Sequence, residues 1–269
     1  MVSGASFRRR VRIPGIHPVP VLALGVTGGL MALCLVERGA AAGQDAFAYW
    51  QGARTWLNGG DPYQPAGPWW PYVYAVWLLP LFAPWALLPW PVAWALWRGA
   101  MLVLLGWSVT WAYERRPAAT ALAFLLLAIP IGVVLDSGNV ALFLALGIWA
   151  TRFVRPPAGG FLLALASAMK WFPIVFLPLL GAPARRWALL FLGVAALLYA
   201  VTWPATVEQF RAVQVSGIPS LFEGPHGLRV DHLVFGWAAI PWLWSLLDRP
   251  PRPHLHLPTR PHGALHRAG

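Results

Sequence analysis

Asp45, Tyr49, Gly52 and Trp56 recur at spacings of four, three and four residues, so on a helix they share one face. Asp45 would then sit in the first turn, where the helix dipole favours an anion. Asn58, Gly59 and Gly60 would end that helix. A carboxylate fixed in this way can act as a general base toward an attacking hydroxyl. The same pattern also describes a helix start whose acid merely faces water. The second group is Lys170, the lysine among 20 Lys and Arg residues, which lies near the centre of an apolar run at 158–180. A lysine at mid-membrane costs about 2.5–3.5 kcal/mol on insertion scales. Two readings are open. The ammonium meets a phosphate at the bilayer edge, or it snorkels to the headgroups or pairs with an acid such as Asp136.

The elements that hold these residues belong in a membrane. Of 269 residues, 58% are hydrophobic and 11% are charged. Soluble chains average about 45–50% and about 25%, so a soluble globule and a largely disordered chain are both excluded. Apolar runs near the roughly 20 residues that a bilayer requires recur at about 18–36, 72–89, 91–112, 118–135, 139–154, 158–180, 187–203 and 233–247. The expected fold is an all-α polytopic bundle of about seven to eight transmembrane helices. It has a basic arm at 1–17, a membrane domain at 18–247 and a disordered Pro/Arg/His tail at 248–269. Polar loops fall at 37–71 and 204–232. The first would carry a short surface helix outside the membrane. The first apolar run follows Arg8, Arg9, Arg10 and Arg12 as a signal peptide would. Glu37-Arg38-Gly39 suits no signal cleavage site, so it reads as an uncleaved first helix.

The net charge of +11 does not indicate nucleic acid. Its arginines lie in the two termini and between apolar runs, at Arg115/Arg116, Arg152/Arg155 and Arg185/Arg186, as the positive-inside bias dictates. If every run crosses, the first two pairs fall outside. If 72–89 dips in without crossing, as Pro80, Pro84 and Pro89 permit, both pairs move inside. Arg185/Arg186 join them only if 158–180 folds back at Pro173. The non-crossing reading of 72–89 is preferred. The lone cysteine, Cys34, excludes a disulfide framework and a cysteine-rich zinc site.

The segment Asp45, Tyr49, Gly60-Asp61-Pro62-Tyr63, followed by Pro71-Tyr72-Val73-Tyr74 and Leu79-Pro80-Leu81, resembles the first-loop signature of glycosyltransferase family 87. Ser137-Gly138-Asn139 resembles that family's Gly-Gln-x-Asn region, without the Gln. Ala168-Met169-Lys170-Trp171-Phe172-Pro173, with Arg185-Arg186-Trp187 after it, resembles its Ala-x-x-Lys-x-x-Pro motif. The resemblance covers about residues 44–203. Family members are usually longer, so the chain is expected to be C-terminally shortened.

The resemblance implies a GT-C membrane fold and an inverting hexosyltransferase at the plasma membrane. Such an enzyme moves a sugar, mannose in this family, from a polyprenyl-phosphate donor to a glycolipid or glycan acceptor on the extracytoplasmic side. It implies Asp45 as base and Lys170 as donor-phosphate contact. Tyr49, Asp61, Tyr63, Asp136 and Asn139 become substrate-binding candidates, with His226 and His232 as weaker ones. From the residues alone, Asp136 equally ends a helix, and Arg98 and Glu114 read as structural. No nucleotide-binding fold or metal-carboxylate motif is present, so no cofactor or metal is expected. Partners are the lipid donor, the acceptor and membrane lipids. A remnant that retains only lipid-binding helices, and a small transporter, are the rival classes.

Overall fold

The structure is a computed structural model that describes residues 18–38, 42–64, 71–215 and 230–247. The basic arm, the C-terminal tail and His226 lie outside the described residues. Among the described residues all regular structure is helical: α1 Pro18–Arg38, α2 Gln44–Leu57, α3 Leu79–Ala86, α4 Trp90–Arg115, α5 Pro117–Leu126, α6 Ala128–Ser137, α7 Ala141–Ala150, α8 Pro156–Met169, α9 Ala182–Val201, α10 Trp203–Val215, α11 Phe235–Ala238 and α12 Ile240–Leu247. Tighter 3₁₀ turns cover Val76–Leu78, Phe172–Leu179 and Val230–Val234.

Proline sets many of these boundaries. It stands in the first turn of α4, α5, α8 and α9, where its missing N–H costs nothing. Elsewhere it interrupts. Pro130 cannot donate to the carbonyl of Leu126, and the run 118–135 breaks at Leu127 into α5 and α6, bent by 61°. Pro173 likewise cannot donate to Met169, and α8 stops there.

Among the described residues, α4 with 26 residues and α9 with 20 are long and apolar enough to cross a membrane, and the bent α5–α6 pair raises this to three. The other apolar runs form shorter helices. Val76–Ala86, the helical part of 72–89, is one of them; its eleven residues span only about 16 Å, against a core of about 30 Å.

The run 158–180 is not one helix. Lys170 is extended (φ −137°, ψ 111°), and the chain turns back. Gly160 packs on Ala184 and Ala188, while Tyr199 Oη donates to the Ala168 carbonyl at 2.9 Å. Helices α8 and α9 therefore run parallel, and the intervening 172–179 segment returns the chain to the end at which α8 began. At about 2.0 Å per residue this 3₁₀ stretch covers roughly 16 Å, enough to span the roughly 14 Å from Met169 back to Gly160 along α8.

This fold-back gathers the basic pairs. Trp111, near the end of α4, packs on Trp149 and Phe153 at the end of α7. That places Arg115/Arg116 beside Arg152/Arg155. Arg185 and Arg186 open α9 against the start of α8 and join them. At the opposite end lie α2, the 71–75 segment, the start of α4 and α10, whose Gln209 donates to the Val73 carbonyl.

The core between the two ends is aromatic. Tyr49, Tyr72, Phe82 and Trp97 pack with ring centroids 5.1–6.1 Å apart. Deeper, Trp149 stacks on Trp237, whose indole N–H donates to Ser108 Oγ.

Candidate active site

Two left-handed glycines bring the start of α2 against the α6–α7 corner. Gly43 (φ +85°) precedes α2 and donates its N–H to the Asp136 carbonyl at 2.7 Å. Gly138 (φ +69°) caps α6. Both lie beneath the indole of Trp94. A Cβ on Gly43 would come within 3.0 Å of that ring, and one on Gly138 within 2.7 Å of both the ring and the Ala46 Cβ. Only glycine combines such φ values with such close approach. The Trp97 indole N–H fixes the corner by donating to the Gly138 carbonyl at 2.9 Å.

Asp45 sits in the first turn of α2 and is half-buried. The side-chain amide of buried Asn139 donates to Asp45 Oδ2 at 2.9 Å. The other side of that amide is committed too, since Asn139 Oδ1 accepts the backbone N–H of Ala141 at 2.9 Å. The amide therefore has one orientation, with oxygen on the first turn of α7 and nitrogen on the carboxylate. Asp45 thus lies at the positive ends of two helices, α2 and α7. One turn further along α2, Tyr49 is buried. Its hydroxyl lies 3.3 Å from that of Tyr74 and accepts the Val140 N–H at 3.5 Å. Burial, then the neighbouring Tyr74 and Asp45, push the Tyr49 phenol well above its ordinary range, so it remains a neutral donor.

Lys170 reaches this end of the bundle by the α7–α8 hairpin. The five-residue connection makes these helices antiparallel neighbours, and Gly147 faces Leu162 across them. The end of α8 therefore lies at the level where α7 begins, beside Asn139. Lys170 is 8% exposed. It stands at the terminus of α8, not at the centre of a spanning helix as the apolar run suggested. Next to it, Phe172 packs on His232 with centroids 4.5 Å apart and on Phe235 at 4.7 Å. His232 is buried. The half-buried Asp136 borders the corner through its carbonyl, as described. Asp45, Asn139, Asp136, Tyr49, Lys170 and His232 therefore share one end of the fold.

Asp61 and Tyr63 follow the far end of α2, about 18 Å along that helix from Asp45, and only the Tyr63 ring reaches back, through Tyr74, toward Tyr49. Asp61 Oδ1 accepts the Tyr63 N–H at 2.9 Å, a local turn bond, while the Tyr63 hydroxyl donates to the Tyr74 carbonyl at 3.0 Å. Burial raises the Tyr63 phenol, helped by Tyr199 and Asp61. Trp56, placed by spacing on the face of Asp45 and Tyr49, is exposed. The buried residues of α2 are Ala46, Ala48, Tyr49, Trp50, Gly52 and Ala53, so Tyr49 and Gly52 of the expected face are packed inside, Gly52 directly against Tyr72.

Arg98, read as structural, stacks on Trp94 at 5.4 Å from the ring centroid and so borders the site. The signal was in the sequence: an arginine eight residues into an apolar helix is costly unless it faces the protein interior or a cavity. Among the described residues no group of three or more His, Cys, Asp or Glu is placed to hold a metal.

The family model for glycosyltransferase family 87 matches residues 72–216. The match takes in Asp136, Asn139 and Lys170 and begins after α2, which carries Asp45. No curated protein and no solved structure matches.

Proposed function

The chain belongs to glycosyltransferase family 87, and from that premise we propose that it is an inverting, multi-pass GT-C mannosyltransferase that uses a polyprenyl-phosphate donor. Its acceptor is a hydroxyl of a cell-envelope glycolipid or glycan. The observation that carries this reading is the Asp45–Asn139 pair at the bundle end that also holds buried Lys170.

The acceptor oxygen attacks the anomeric carbon, and the bond from that carbon to the donor phosphate breaks. The electron pair leaves with the phosphate, and the acceptor proton passes to Asp45. Asn139 holds the carboxylate in place. Lys170 compensates the charge that grows on the departing phosphate. Asp136 meets substrate hydroxyls, and Tyr49, bonded to Tyr74 and Val140, holds the corner behind them. A single displacement inverts the anomeric centre, so a β-linked donor yields an α-linked product. Asp61 and Tyr63 order the first loop, through the Asp61–Tyr63 turn and the bond from the Tyr63 hydroxyl to the Tyr74 carbonyl.

Orientation follows from charge. With Arg115/Arg116, Arg152/Arg155 and Arg185/Arg186 at one end, the positive-inside bias puts that end in the cytoplasm and opens the site to the extracytoplasmic side of the plasma membrane. The corner lies level with Trp94–Trp97, about 6–10 Å inside the start of α4. That depth suits a lipid-borne phosphate. A bundle of seven to eight crossings requires α1, α7, α8 and α11–α12 to cross as well, and α7 and α8 reach across the core only together with their flanking turns.

The test uses membranes that carry the full chain, radiolabelled polyprenyl-phosphate-mannose and an acceptor extract. Wild type transfers label to the extract and Asp45→Asn does not. Equal transfer by both would remove Asp45 as the base, and transfer by neither would remove the mannosyltransferase reading.

A further inference from the structure

The segment 71–75 passes behind the Asp45 corner and is neither helix nor strand, so its backbone groups need partners from elsewhere. Three of its carbonyls take side-chain donors. The Tyr63 hydroxyl donates to the Tyr74 carbonyl at 3.0 Å, and the Tyr72 hydroxyl donates to the Ala75 carbonyl at 3.2 Å. Both of these bonds are local. The third crosses 136 residues of chain, from Gln209 Nε2 of α10 to the Val73 carbonyl at 3.2 Å. The segment leads on to the site. The Tyr74 hydroxyl lies 3.3 Å from that of Tyr49, which in turn accepts the N–H of Val140, the residue after Asn139.

Helix α10 presents this amide in an unusual way. A helix held by the hydrophobic effect turns its large apolar residues inward. This one exposes Trp203 and Phe210 and buries Thr206, Gln209 and Ala212. Thr206 Oγ1 donates to the Tyr199 carbonyl at 3.1 Å, which seats α10 on the end of α9. Gln209 Oε1 is buried without a hydrogen-bond partner. Leucine at this position would remove that orphan acceptor and strand the Val73 carbonyl instead, so the change is nearly neutral for stability. What the amide adds is the place at which it holds the 71–75 segment.

We propose that Gln209 is a positioning residue: from α10 it fixes the 71–75 segment and, through Tyr74 and Tyr49, the corner that holds Asp45. Its effect on transfer rests on the glycosyltransferase reading, whereas the tie itself is read without turnover.

Hydrogen exchange is followed by mass spectrometry on the full chain in nanodiscs, in peptides that cover 71–78 and 139–144. Gln209→Leu exchanges roughly three- to tenfold faster in both, the worth of one hydrogen bond, with an unchanged thermal transition. Arg211→Gln, on the outer face of α10 where Arg211 pairs with Glu208, changes neither. In the transfer assay Gln209→Leu lowers kcat at least about tenfold and leaves donor and acceptor KM in place. Tyr74→Phe combined with Gln209→Leu costs little more than the larger single loss, because both cut one chain of contacts. Lys170→Met combined with Gln209→Leu multiplies the two losses. Unchanged exchange in 71–78, faster exchange throughout the bundle with an earlier thermal transition, or losses that multiply with Tyr74→Phe overturn the proposal. The two readings separate. Faster exchange in both peptides with no transfer by wild type keeps the tie and removes the mannosyltransferase. Transfer that needs Asp45 and ignores Gln209→Leu does the reverse.

Discussion

The carboxylate of Asp45 and the amide of Asn139 meet at 2.9 Å across 94 residues of chain. Because Asn139 Oδ1 is bound to the first turn of α7, this bond ties α2 to α7. It makes Asn139 a positioning residue, and it separates two variants that look alike. Asn139→Ala removes the bond and leaves Asp45 free to rotate, and transfer falls at least about tenfold with the donor KM little changed. Asn139→Asp sets one carboxylate against another and falls further, with recovery as the pH is lowered. Initial rates from pH 5 to 8 check both. Identical profiles for the two variants would contradict the assignment.

Gly138→Ala tests the corner itself. The new methyl group meets Ala46 and Trp94 at 2.7 Å on a backbone with φ +69°, where a side chain costs about 1–2 kcal/mol before any clash. Helix content measured by circular dichroism should persist while transfer drops by tenfold or more, because only the position of Asp45 is disturbed.

Lys170 is expected to act on the donor alone. Lys170→Met raises the donor KM or lowers kcat by roughly 10- to 100-fold, the worth of a hydrogen bond to a charged group. Lys170→Arg keeps the charge and retains more activity. The acceptor KM stays constant in both. A change confined to the acceptor KM would move Lys170 out of the donor site.

Gly160→Leu should destabilise without touching the chemistry. A Cβ at Gly160 lies 2.5 Å from the Trp187 Cβ and 2.6 Å from the Ala188 backbone nitrogen. Small residues permit such close helix packing in membranes. Overpacking there costs about 1–3 kcal/mol, read as an earlier thermal transition in detergent.

The phenols of Tyr49, Tyr63 and Tyr72 are all raised, chiefly by burial, above the ordinary value of 10.0. Their folded-state affinity for the proton exceeds that of the unfolded chain. Stability from this source is therefore intact below pH 10 and is lost as the pH rises above it. Tyrosinate absorbance should then rise in one cooperative step together with loss of helix. Independent titration of all six tyrosines near pH 10 would argue against buried rings.

Local chemistry made part of this protein legible in its amino-acid sequence. The apolar runs, the prolines that start or stop helices, the Asn58–Gly60 stop and the place of Asp45 in the first turn of α2 depend on neighbours a few residues away. The non-crossing 72–89 segment and the fold-back of 158–180 appeared there as alternatives set by charge, and the parallel packing of α8 and α9 realises the second. What required the tertiary structure was every long-range pairing. Spacing put Asp45, Tyr49, Gly52 and Trp56 on one face; Tyr49 and Gly52 are buried against Tyr72, Phe82 and Trp97, while Trp56, at the end of the helix, is exposed. Lys170 looked costly at mid-membrane, and the break before Pro173 placed it at a helix end. Arg98 stood out in the sequence as a charge inside an apolar run, but only the packing of α4 showed that it stacks on Trp94 beside the corner. Asp45 and Asn139 could each be picked out by residue type. Their contact depended on two glycines beneath one indole, a close approach set by how α4 packs and by no local preference.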